Sequence, residues 1–169
     1  MRAMTRYVAR LGRLTCREEG SSLVETALAC TVFLAMLTGV FQMSLAFYAL
    51  HYVSDAAREG SRYAAVRGST SCTNTPNLSS CNATSGQIQT YVRGLGYPGI
   101  TASNLTVTTT WLTASSTQPT TWSSCSTGTC NAPGSQAKVV ATYSFPLSVP
   151  FVPRLSFSLT STSKMVISQ

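Results

Sequence analysis

From Ser61 to Gln169 the chain contains no aspartate or glutamate, and its only histidine is His51. These absences exclude much chemistry. A glycosidase needs two facing carboxylates, and this long C-terminal region has none. Metal sites built from imidazole and carboxylate fall with them. A serine triad needs a nucleophile aimed at an imidazole and an oxyanion hole beside it. His51, with Asp55 four residues on, has no such pattern around it and reads as an amphipathic residue at the end of an apolar run. "RGLGYPG" is no phosphate loop, because it lacks the preceding strand and the following helix. Nor do the cations form a nucleic-acid face: Arg62, Arg67, Arg93, Lys138, Arg154 and Lys164 are scattered through a Ser/Thr-rich region, whereas phosphate binding wants them clustered. The sequence therefore predicts no enzyme, no cofactor, no small-molecule substrate and no nucleic acid partner. Asparagine sequons such as Asn82-Ala83-Thr84 arise by chance in such a composition.

What is present is concentrated near the start. Five arginines (Arg2, Arg6, Arg10, Arg13, Arg17) precede Gly20, and the five acidic residues are Glu18, Glu19, Glu25, Asp55 and Glu59. From Thr26 to Leu50 the chain runs 25 residues without a charge. A bilayer needs about 20 apolar residues at a helical rise of about 1.5 Å, so Leu23 to Leu50 suffices with room for tilt. The basic leader puts the N-terminus on the cytoplasmic side and the rest outside, periplasmic or extracellular across an inner membrane. A cleaved secretory signal is disfavoured, since the apolar run is too long for an h-region and "SLAFYALHY" offers no small-x-small cleavage site.

The six cysteines suit that topology. Cys16 lies in the leader and Cys30 in the span, while Cys72, Cys81, Cys125 and Cys130 lie outside. An even number in an oxidising compartment suggests disulfides, with three possible pairings. Cys72–Cys81 and Cys125–Cys130 are favoured because each closes a local polar loop. The rival zinc site lacks the usual C-x2-C spacing.

The organisation follows: a basic leader at 1–20, a transmembrane helix at 21–50, its continuation outside the membrane at 51–68, and a small disulfide-containing α+β head at 69–169. In the continuation Ala56, Gly60 and Ala64 make a small-xxx-small ridge that lets another backbone approach closely. That backbone belongs either to the protein's own head or to a second subunit. Asp55–Arg58 and Glu59–Arg62 are i,i+3 pairs on the other side, and Gly68 is a natural C-cap. Residues 69–86 read as a turn-rich loop and 87–96 as a short helix. "NLTVTTTWLTA" at 104–114 alternates Leu105, Val107, Thr109 and Trp111 against threonines, as a half-buried strand does. A polar loop over 115–136 leads to a strand at 137–147. "PFVPR" breaks the pattern before a third strand at 155–167, with Leu155, Phe157 and Leu159 on one face. Three antiparallel strands sustain a small sheet if a helix covers them.

One carboxylate interrupts the onset of the span. Glu25 stands in "REEGSSLVETALA", five residues after Gly20. A charge in the bilayer costs roughly 3 kcal/mol at the centre and less at the edge, so it needs a partner or a helix-dipole role at the first turn. "EEGSSLVETALA" resembles the class III signal of type IV prepilins, in which a basic leader ends in glycine, a peptidase cuts after it, and glutamate is the fifth mature residue. The stretch from "GSSLVETALA" through the span to "SDAAREGSRYAAVRG" is similar to the TadE-like family, the pseudopilins of tight-adherence (Tad/Flp) pilus systems, whose members carry an "AAREGARYA"-like run after the span. The ending "SFSLTSTSKMV" resembles the family's C-terminus more loosely.

The resemblance implies processing between Gly20 and Ser21 by a prepilin peptidase, an assembly or register role for Glu25, and other pilins or pilus assembly proteins as partners at the membrane. Thr26 stands where the system's major pilins have tyrosine, which implies a minor pseudopilin. Cleavage frees an ammonium at Ser21 that can meet Glu25 of a neighbouring chain, a pairing suited to fixing register. It also removes five arginines and two glutamates, taking the net charge from +7 to +4. The alternative is an uncleaved, membrane-tethered binding or adhesion module.

Overall fold

The computed structural model describes residues 19–115, 121–126, 129–148, 153 and 155–168. The leader up to residue 18 and, apart from Pro153, the proline-containing break at 150–154 lie outside the described residues. Helix α1 spans Glu19–Val66, 48 residues, about 72 Å at 1.5 Å per residue. A short helix α2 (Ser71–Asn74) and helix α3 (Ser85–Gly94) follow, then a 3-10 turn at Ala102–Asn104. Four strands complete the head: β1 (Leu105–Ala114), β2 (Trp122–Ser124), β3 (Gln136–Leu147) and β4 (Leu155–Val166). They form one antiparallel sheet in the order β2-β1-β3-β4. The fold is α+β: a long apolar helix carrying a small head.

The two ends of α1 behave differently. Ala49, Tyr52, Val53, Ala56, Ala57, Gly60, Ser61, Ala64 and Ala65 are buried, a repeat of three and four residues that makes one helix face. This face lies on the sheet, against β3 and β4, with α3 beside it. Below it, Leu23, Val32, Phe33, Met36, Val40 and Phe41 are each at least 59% exposed, although wholly apolar. Among the described residues α1 is the one helix long and apolar enough to cross a membrane.

On β3 the residues Ala137, Val139, Ala141, Tyr143 and Phe145 face the helix and are buried, alternating with more exposed neighbours. Leu105 and Val107 of β1 join them, with Trp111 packed at the edge. Helix α3 adds Ile88 and Val92, one turn apart, and starts at a capping box in which Thr84 and Gln87 satisfy each other's backbone N–H groups. Completely buried side chains such as Val53, Ile88, Val92, Leu105 and Val139 each stabilise by roughly 1.5–3 kcal/mol through removal of apolar surface from water. Polar contacts fix the stack. The hydroxyls of Ser61 and Ser163 share a hydrogen bond at 2.8 Å, and the Arg93 guanidinium donates from Nε and Nη2 to the Leu105 carbonyl at 2.8 and 2.6 Å.

Both disulfides sit in the head, Cys72–Cys81 and Cys125–Cys130, with Cα separations of 5.0 and 5.5 Å. Each closes a short loop, which in the chain-entropy account contributes about 2–3 kcal/mol. The two loops meet: Ser69 donates its N–H to the Asn131 carbonyl at 2.9 Å, and the Asn131 side-chain amide donates to Asn82.

Four expectations change. Gly68 does not cap α1 in the left-handed region. Instead the Arg67 N–H turns back to the Ala64 carbonyl and the Gly68 carbonyl accepts from Ser71, so the chain runs straight into α2. The polar loop after β1 contains β2, a strand of three residues too short for any alternation to show. Of the two i,i+3 pairs, Glu59–Arg62 forms at 3.1 Å, and no ion pair joins Asp55 to Arg58 among the described residues. Leu155 and Phe157 do not enter the core; they remain 55% and 40% exposed.

A Cβ on Gly60 would stand 3.0 Å from Val139 Cγ1 and 3.2 Å from Val92 Cγ2. Gly60→Leu is therefore expected to destabilise the head by about 1–3 kcal/mol through overpacking. Gly86 on α3 has open space, so Gly86→Ala is expected to be neutral or stabilising by up to about 1 kcal/mol; thermal denaturation compares the two. A second expectation concerns alkaline pH. Burial, helped by the Asp55 and Glu59 carboxylates, pushes the Tyr97 hydroxyl above its ordinary 10.0. The folded state thus holds this proton more tightly than the unfolded state. Its stabilising contribution is full below pH 10.0 and is lost as pH rises through the higher folded value. Tyr97→Phe should flatten that alkaline loss in unfolding titrations.

Candidate functional site

The residues singled out for processing and assembly lie in the first described turns of α1. Gly20, Ser21 and Glu25 are all exposed within its first turns. Glu25 borders a shallow open depression with Thr26, Ala29, Cys30 and Phe33. Every one of these comes from α1, so the depression has a floor and no opposite wall. Among the described residues no hydrogen bond or ion pair engages the Glu25 carboxylate.

Its polar neighbours are treated differently. Thr26 donates to the Ser22 carbonyl at 2.9 Å, Thr38 to Leu34 at 3.0 Å, and Ser44 to Val40 at 3.1 Å. Such back-bonding hides a hydroxyl within the helix itself, which lets an apolar surface tolerate it. A carboxylate is acceptor-only when ionised and cannot be hidden in this way. Glu25 is the one carboxylate in this otherwise uncharged stretch, and it calls for a donor from elsewhere. Cys30, a free and exposed thiol, lies in the same depression.

Ala56, Gly60 and Ala64 are not part of this site. They lie about 46 Å up the helix, counting 31 residues from Glu25 to Ala56 at 1.5 Å each, and are buried under the chain's own sheet. Val139, Val92 and Ile88 surround Gly60, which leaves the ridge no surface for another subunit. Cys72, Cys81, Cys125 and Cys130 are farther still, in the head loops. One contact of the helix with the head escaped sequence reading: Gln42 Nε2 donates to the Ser148 carbonyl at 3.0 Å. A glutamine within an apolar run was its only signal, and nothing local named its partner. Among the described residues no three of His, Cys, Asp and Glu gather to hold a metal ion.

The family model for TadE-like protein matches residues 20–62. No curated protein and no solved structure matches the chain. The matched segment begins at Gly20, contains Glu25 and the whole uncharged run, and takes in most of the Ala56–Ala64 stretch. Over residues 20–62, from Gly20 and Glu25 to the helix face beneath the sheet, the chain is similar to the TadE-like family.

Proposed function

We propose that the chain is a non-enzymatic minor pseudopilin, or pilus assembly component, of a Tad/Flp-type pilus, cut after Gly20 by a prepilin peptidase. A TadE-like segment implies a protein associated with a Tad pilus system. The observation that carries the finer reading is Glu25: exposed, without a partner among the described residues, beside a depression with one wall missing. A neighbouring chain supplies both what is missing and what is needed. Its helix provides the second wall, and the ammonium freed at its Ser21 provides the donor. The pair neutralises a carboxylate that would otherwise be costly in lipid, and it sets how far one helix slides along the next. Loss of the leader's arginines also weakens the hold on the cytoplasmic face. The protein then stands in the inner membrane, head outward, until assembly draws on it.

One observation favours a second reading, an uncleaved tethered module. Gly20 and Ser21 already lie in α1, which begins at Glu19, so a peptidase must unwind a turn to reach the bond.

The mass of the N-terminal peptide from the native envelope separates the two. A peptide beginning at Ser21 is expected; one beginning at Met1 contradicts processing. Glu25→Ala should preserve membrane insertion and cleavage while cross-linking to other pilus components falls at least tenfold. Unchanged cross-linking would return Glu25 to a helix-dipole role.

A further inference from the structure

The base of the head, where it meets α1, carries a second surface that the assembly reading does not use. Two contacts fix its height: Gln42 with Ser148, and Tyr48, whose hydroxyl donates to the Pro98 carbonyl at 3.1 Å. At this level Met43, Ala46, Phe47 and Leu50 form an apolar seam with Phe157 and Leu159 of β4. On the other flank Leu45 and Tyr48 line a recess with Pro98, Ile100, Phe145 and Pro146. Neither recess is lined by a charged residue. The large apolar side chains stay outside the core: Phe47 is 55% exposed, Leu50 43% and Leu155 55%. A scattered exposed leucine means little, but apolar recesses on both flanks of the helix, uncharged among the described residues, make a ring built to be covered.

The strand register places the two lysines of the head elsewhere. Phe145 pairs with Phe157 and Leu147 with Leu155 at the base, while Lys138 pairs with Lys164 near the opposite end. The Ser61–Ser163 and Ala65–Ser168 contacts mark that far end on the helix. From Gln42 to Ala65 is 23 residues, about 34 Å of helix, and Asp55, Arg58, Glu59 and Arg62 all project above the base.

The height of the ring names its cover. A hydrocarbon core about 30 Å thick takes about 20 helical residues. Counted from Glu25, it ends near Leu45, where the ring begins. We infer that this ring is a membrane seat, and that the outer-leaflet lipid interface covers Phe47, Leu50, Leu155 and Phe157 while the protein stands in the bilayer. Tyr48 and Tyr97 then lie at the depth where amphipathic aromatic rings are favoured. The seat stops the head from tilting about α1 and sets how far the span projects inward. This inference rests on the reading that α1 crosses a membrane.

The test uses the full chain in phosphatidylcholine vesicles whose acyl chains are brominated near the headgroup. The native Trp111 and Trp122 belong to the far part of the sheet, by their pairing to Ala137 and Ala114, and give an unquenched background. Phe157→Trp should add blue-shifted emission that loses most of its intensity on bromination. Leu155→Trp repeats the readout at a more exposed position, where a larger ring is easily accommodated. Phe33→Trp reports the span. Quenching at 33 without quenching at 157 or 155 overturns the seat and leaves the anchor standing. No quenching at any of the three overturns the anchor reading and the seat with it. Emission at 157 that is blue-shifted, unquenched and dependent on the protein-to-lipid ratio assigns the ring to a second copy, against the inference.

Discussion

The close approach of α1 to β3 at Gly60 is the contact on which the rest of the molecule depends. With no side chain at that position, Val139 and Val92 come down onto the helix backbone, and Ala56 and Ala64 extend the same small-residue face a turn to either side. A sheet with one long edge strand and a three-residue opposite edge is marginal by itself. Laid on a helix it gains a continuous core, drawn from Ala49 to Ala65 on one side and from alternate residues of β1 and β3 on the other. Helix and sheet therefore need each other at the upper end of α1.

That dependence divides one helix into two environments. Above about residue 46 its inner face is buried and its charges point outward; below, apolar side chains are exposed all round. The hydroxyls of Thr26, Thr31, Thr38 and Ser44 are folded back onto the helix, and Glu25 has no partner among the described residues. The same rigid rod links the two ends. Under the proposed reading, a neighbour that engages Glu25 would fix the height of the head, and a bilayer that supports the base of the head would fix the height of Glu25. Register at one end would then be register at the other.

Much of this was legible in the residues. The long apolar helix and its continuation follow from local pattern, as do β1 and β3, because apolar periodicity acts over a few residues; α3 starts two residues before the 87–96 expected, because its Thr84–Gln87 cap was not read. Both disulfides are the pairings that loop closure favoured among the three possible. The limits were equally physical. The small ridge fitted a foreign helix or the chain's own sheet equally well, since small residues report close approach and not its partner. β2 escaped because three residues cannot display a period. Leu155 and Phe157 looked like core and are exposed, because alternation identifies a face without saying whether protein or lipid covers it. Gln42 gave no hint of Ser148, more than a hundred residues away.

Native-state hydrogen exchange on the full chain in a lipid bilayer tests most directly whether α1 is at once anchor and core. If it is, the amides of Val53 to Ala64 and those of β3 open together, with one free energy and one denaturant dependence, because neither is stable without the other. If the strands keep their protection while the upper part of α1 exchanges freely, the helix is merely a stalk beneath an independent head, and the account is wrong.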